Sequence, residues 1–145
     1  MRNLLRRAVT TAAVAASIAA GGATVPAAAA VQYAPDHFKV CMYVSGTCKV
    51  YVEGDIVWGN RTATITGNVV NGAGGSATAF FDAYAGSTFV DEDTRTASGV
   101  KTTPFSFVSG DTNLVGGINL IYTQLGYAPD SVHYVYTEPW LDRRD

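Results

Sequence analysis

From Thr62 to Ala85 the chain alternates apolar and polar residues twice, with a glycine-rich break between, a pattern that suits paired β-strands. In the first run Ala63, Ile65 and Val69 share one face, and threonines with Asn68 take the other. The second run sets Ala77, Ala79, Phe81 and Ala83 against Thr78, Phe80, Asp82 and Tyr84. Only the alanine and Phe81 side lacks a polar member, so it is the expected core face. Phe80 and Tyr84 are left pointing outward. Between the runs, Asn71-Gly72-Ala73-Gly74-Gly75 reads as a loose hairpin connection.

Residues 1–30 read as a secretory signal peptide, which leaves 31–145 as a single β-sandwich domain. Arg2, Arg6 and Arg7 form a positive start, Ala8 to Ala20 an apolar stretch, and Ala28-Ala29-Ala30 a small-residue cleavage site. Gly21, Gly22 and Pro26 interrupt the run before it reaches the ~20 apolar residues of a membrane span. The expected location is therefore extracellular, with no stable membrane association after cleavage. The leader holds three of the ten basic residues and none of the twelve acidic ones, so seven against twelve remain, a formal −5. Such a balance disfavours nucleic acid, whose phosphates need clustered Lys and Arg.

Outside the cytoplasm Cys41 and Cys48 are most simply a disulfide closing a short loop. Their spacing matches neither a redox C-x-x-C pair nor a usual zinc pair. Phe38, Val40, Met42 and Val44 alternate inward, as do Cys48, Val50 and Val52, with Ser45-Gly46 as the turn. Aligning those faces pairs Phe38 with Val52, Val40 with Val50 and Met42 with Cys48, and Cys41 then faces away from Cys48. A β-bulge near the turn would reconcile the pattern with the bridge.

Further along, Gly54-Asp55 reads as a turn and Ile56-Val57-Trp58 as a short apolar run. Asp91-Glu92-Asp93 reads as the acidic tip of a loop, without the spacing of a calcium loop. Thr94 to Val100 and Thr102 to Val108 are strand candidates; Pro104 places the second at a sheet edge or starts it at Phe105. Ile118 to Leu125 is apolar on both sides, as a central covered strand would be. Tyr127-Ala128-Pro129-Asp130 introduces a last strand, Val132 to Thr137, before a tail carrying Trp140. Seven to nine short strands with no helical-period segment after the leader imply an all-β antiparallel sandwich, immunoglobulin-like or a related Greek key.

Motifs for chemistry are sparse. The chain has two histidines, His37 and His133, each just after a Tyr-Ala-Pro-Asp, and no serine sits in a nucleophile elbow. Were the first and last strands neighbours, the two histidines with Asp36 or Asp130 would form a metal or acid-base site. No glycine-rich phosphate loop opens a helix. No cofactor, metal ligand or catalytic residue is therefore assigned.

Arg61-Thr62-Ala63-Thr64-Ile65-Thr66-Gly67, Phe80-Phe81-Asp82-Ala83-Tyr84 and Thr103-Pro104-Phe105-Ser106-Phe107, with the alanine-rich arginine leader, resemble small exported β-sandwich proteins of high-GC Gram-positive bacteria. The resemblance covers about the middle half of the chain, implies an exported domain and carries over no functional residue. The expected function is non-enzymatic contact with an extracellular polysaccharide or protein. Phe80, Tyr84, Trp58 and Trp140 are the candidate ligand-binding residues, because flat aromatics stack on sugar rings or centre an interface. For Trp58 the competing role is core packing. A covering tail carrying Trp140 is the alternative for the outward pair. Two other classes stay open: a small inhibitor or toxin-like effector presenting the Cys41 to Cys48 loop, and a small hydrolase using His37 or His133.

Overall fold

The computed structural model describes residues 33–130 and 132–145; the expected signal peptide, residues 1–30, lies outside them. Nine strands follow in order: β1 Asp36–Val44, β2 Thr47–Trp58, β3 Thr62–Asn71, β4 Ser76–Ala85, β5 Thr88–Ser98, β6 Lys101–Gly110, β7 Leu120–Ala128, β8 Val135–Tyr136 and β9 Trp140–Arg143. They form two antiparallel sheets, ordered β1-β2-β3-β6 and β5-β4-β7-β8, with β9 also paired to β7. The sheets stack face to face as a β-sandwich. No helix occurs among the described residues. Because β6 returns beside β3 after two strands in the other sheet, the path is a Greek key of the immunoglobulin kind, with β1 added at one edge.

Alternation placed the core correctly. Ala63, Ile65 and Val69 of β3, and Ala77, Ala79, Phe81 and Ala83 of β4, are all at most 1% exposed. The connection between these strands is another matter. β3 pairs with β2 and β6, whereas β4 pairs with β5 and β7. The expected hairpin is therefore an arch from one sheet to the other. Burying both apolar faces requires them to oppose each other across the sandwich, which side-by-side pairing in one sheet would not achieve. Asn71, 1% exposed, holds the arch. Its Nδ2 donates to the carbonyls of Gly75 (3.4 Å) and Ala97 (3.3 Å), and its Oδ1 accepts from the Ala73 N–H (3.2 Å).

Gly54 and Asp55 do not turn the chain; they lie within β2. Gly54 is opposite Gly67 of β3, flanked in the same row by Phe38 of β1 and Phe105 of β6. A Cβ on Gly67 would come 2.1 Å from the Glu53 carbonyl oxygen and 2.9 Å from both Gly54 Cα and the Phe105 ring. The missing side chains leave room between two phenyl rings. Phe81 of the facing sheet packs on both, with centroids 6.0 Å from Phe38 and 5.3 Å from Phe105.

The first hairpin turns at Ser45-Gly46, both at positive φ (53° and 76°), the geometry of a two-residue type I′ turn. Its register differs from the expected one: Phe38 pairs with Gly54, Val40 with Val52 and Met42 with Val50. A bulge between Met42 and Tyr43 leaves Lys49 unpaired and rotates Cys48 outward, opposite Tyr43. The two-residue turn and the one extra residue together preserve the inward faces, and Cys48 comes to the side of Cys41. The Cys41–Cys48 disulfide forms there, with Cα atoms 5.6 Å apart.

The acidic run Asp91-Glu92-Asp93 is also strand, not a loop tip. Its odd members face the space between β5 and β6. Asp91 Oδ2 accepts from Ser109 Oγ (3.2 Å) and the Gly110 N–H (3.1 Å), and Asp93 pairs with Arg95, whose guanidinium lies 4.1 Å from the Phe107 ring centre. β6 is an edge strand, one of the two outcomes Pro104 allowed, and β7 is central, but its outward side, at Tyr122 and Gln124, is only half-buried and not covered as expected. The last strand is shorter than the pattern suggested: only Val135 and Tyr136 pair as β8, and the tail supplies β9 against Leu120 to Thr123.

Gly67→Ala is expected to cost about 3 kcal/mol in urea denaturation, because the clash is with backbone on one side and a core ring on the other. Reducing the disulfide closes no new contact but frees a short loop in the unfolded chain. A loss of about 2 to 3 kcal/mol, read as a lower urea midpoint with reductant, is expected.

Candidate functional site

The outward face of the second sheet carries the aromatic residues. In antiparallel pairs the residues directly opposite share a face. Thus Glu92, Asp82, Tyr122 and Leu141 form one row across β5, β4, β7 and β9, and Phe89, Tyr84, Leu120 and Arg143 the next. Both rows point away from the core because Ala83, Phe81 and Ile121 point into it.

An open groove of about 420 Å³ lies over these rows. Asp82, Tyr84, Leu120, Tyr122 and Gln124 line its sheet side, Gly86 and Ser87 one end, and Pro139 a wall. Tyr84 meets Tyr122 edge to face (5.3 Å, 81°) and Phe89 likewise (5.6 Å, 77°), which fixes the tyrosine ring from two sides. The end is held by Asn119: its Oδ1 accepts from the Gly86 N–H (2.7 Å) and its N–H donates to the Tyr84 carbonyl (2.9 Å). The Gln124 Nε2 donates to the Thr137 carbonyl (2.8 Å), and the Thr137 hydroxyl accepts from the Leu125 N–H (3.1 Å). Those bonds hold the β8 to β9 link, and so Pro139, beside β7.

Phe80 belongs to a neighbouring cluster. Its ring lies 6.0 Å from Tyr136, which lies 5.4 Å from Tyr134. All three rings meet over Gly126, where a Cβ would stand 3.1 Å from each. Phe80 is thus partly covered by the segment after Asp130, and Tyr134 and Tyr136 remain about half exposed, at 50% and 54%. Trp58 is core: 3% exposed, with its indole N–H donating to Asp36 Oδ2 (2.6 Å). Its ring is not available as a platform. Trp140 pairs with Thr123, whose side chain is buried, so it sits at the sandwich edge and off the groove face, donating to Asp142 Oδ1 (3.2 Å).

The histidines are not brought together. Nδ1 of His37 bonds Asp55 Oδ1 (3.0 Å) on the first sheet, whereas His133 Nδ1 bonds Asp130 Oδ2 (2.8 Å) before β8. The His133 hydrogen bond, with the N–H groups of Val132 and His133, holds the Asp130 carboxyl below its ordinary range. Among the described residues no group of three His, Cys, Asp or Glu is placed to hold a metal ion.

The sequence pointed to Tyr84 through its outward parity, but Phe89, Leu120, Tyr122 and Gln124 went unrecognised. Tyr122 lay in a run that is apolar on both sides, and nothing local marks which side meets solvent. Only the pairing of β7 with β4 sets it beside Tyr84.

Partial burial pushes the Asp82 carboxyl above its ordinary range, and the Glu92 charge opposite adds to the effect. Its charged form therefore costs stability at neutral pH, and the cost disappears as pH falls through the raised value. Asp82→Asn is expected to be more stable than the parent at neutral pH in urea denaturation, with the difference closing below pH 3.8, the ordinary value.

Searches of protein-family models, curated proteins and solved structures find no match to this chain.

Proposed function

We propose that this protein is a secreted, non-enzymatic binding domain that takes an extracellular polysaccharide into the groove over β4 and β7. The observation that carries the reading is the Tyr84–Tyr122 pair, two fixed aromatic rings in a groove that also offers a carboxylate and an amide. Sugar rings have apolar C–H faces that stack on such rings, and hydroxyl edges that bond to groups like Asp82 and Gln124. A groove of about 420 Å³ suits a few sugar units, whereas a standard protein partner would need ~800 Å² of surface from this side. Export is supported by the disulfide, which persists in oxidising compartments, and is compatible with the lack of a membrane-spanning helix among the described residues.

Sedimentation with insoluble cellulose, chitin and bacterial cell wall tests the reading. Retention on at least one is expected, weakened about tenfold or more in Tyr84→Ala and Tyr122→Ala with the thermal midpoint checked alongside. No retention on any of the three, or retention unchanged in both variants, sinks it.

A further inference from the structure

Eight carboxylates lie on strands, and six of them accept a hydrogen bond: Asp36 and Asp142 from indoles, Glu53 from Lys39, Asp55 from His37, Asp91 from Ser109, and Asp93 from Arg95. The other two are Asp82 and Glu92, and they stand directly opposite each other on β4 and β5. No cation of the described residues pairs with either. Like charges so placed repel each other and destabilise the sheet. The arrangement sits at the groove, where Asp82 forms part of the lining beside Tyr84 and Tyr122.

We infer that the groove selects a glycan bearing free amino groups, an oligomer of glucosamine type, with Asp82 and Glu92 receiving its ammonium while Tyr84 and Tyr122 stack on its rings. The inference rests on the polysaccharide reading above and narrows it. Three properties of the ligand follow from three features of the site. A positive charge relieves the carboxylate pair, which no protein group neutralises. The ring faces attract both the C–H surface of a sugar and a cation adjacent to it. The groove is open to solvent above the sheet, so a sugar chain can lie over it. A divalent metal ion is a poorer complement, since it wants six or more oxygens and the Asp82–Glu92 pair supplies at most four.

Calorimetric titration of the full-length mature chain with a glucosamine oligomer and its fully N-acetylated counterpart decides the matter, at a pH where the amine is protonated. The expected result is tighter binding of the free-amine oligomer by about tenfold or more, the size of one charge-assisted hydrogen bond. Asp82→Asn should bring the two affinities together, Glu92→Gln should narrow the gap, and added salt should weaken the free-amine oligomer alone. Equal or tighter binding of the N-acetylated oligomer overturns the inference and leaves the polysaccharide reading standing. So does a preference that survives Asp82→Asn, or equal binding of an oligolysine, which would mark mere cation exchange. Failure of both oligomers, combined with no retention on the insoluble glycans, removes both readings.

Discussion

Phe81 against Phe38 and Phe105, the rings that flank the glycine pair, is the contact on which the sandwich depends. Two facing sheets hold together only if their inner surfaces interlock, and the first sheet carries no side chain where Gly54 meets Gly67. Phe38 and Phe105 flank that pair, and Phe81 from the second sheet contacts both. Otherwise the inner surface of β4 is alanine. The one large residue on β4 thus meets three phenyl rings, Phe38, Phe105 and Phe107, while its alanines leave room for the large buried residues of the facing sheet. Interdigitation of this kind, large against small, is how interiors reach the density of a crystal.

Away from this centre the two open edges are closed by polar groups. On the β5 to β6 edge, Asp91 bonds across to Ser109 and Gly110, and Arg95 lies over Phe107. At the other edge the Trp58 indole reaches Asp36, and Asp142 sits largely buried next to Trp140. Burial pushes the Asp142 carboxyl up, the Trp140 N–H works against this, and the Asp36 charge adds to it. Arg144 then ties the chain end to the turn after β2, donating to the carbonyls of Gly59 (3.1 Å) and Asn60 (3.0 Å), and to Gly116 (2.8 Å). Charged residues pointing inward at an edge also discourage a second sheet from pairing there.

With the interior and the edges engaged, the outer face of the second sheet is where unmatched groups collect. The first sheet turns out threonines and paired charges, Lys39 with Glu53 and His37 with Asp55, along with Tyr43, Val57 and Val108 at separate places. The second turns out Phe80, Tyr84, Tyr122, Tyr136 and the unpaired Asp82 and Glu92. A fold needs only one face of each sheet. Half-buried rings held edge to face, Tyr84 and Tyr122, lie there beside carboxylates that have no cation partner among the described residues.

Local pattern by itself determined much here. Period-two alternation gave the all-β class, the inward faces of β3 and β4 and the outward Tyr84 and Phe80. These are properties of a strand considered alone, since side-chain direction follows from parity and burial from polarity. What it could not determine was who neighbours whom. A glycine-rich link fits a hairpin or an arch equally well, Gly54-Asp55 looks like a turn until Gly67 is placed beside it, and an acidic triplet looks like a loop until β6 offers partners. The groove belongs to the second kind: Asp82 and Tyr84 lie on one strand, Tyr122 and Gln124 on another, and they meet only through register. Register is fixed by the packing of faces across the whole sandwich, an energy spread over residues distant in sequence, so tertiary structure alone decided it.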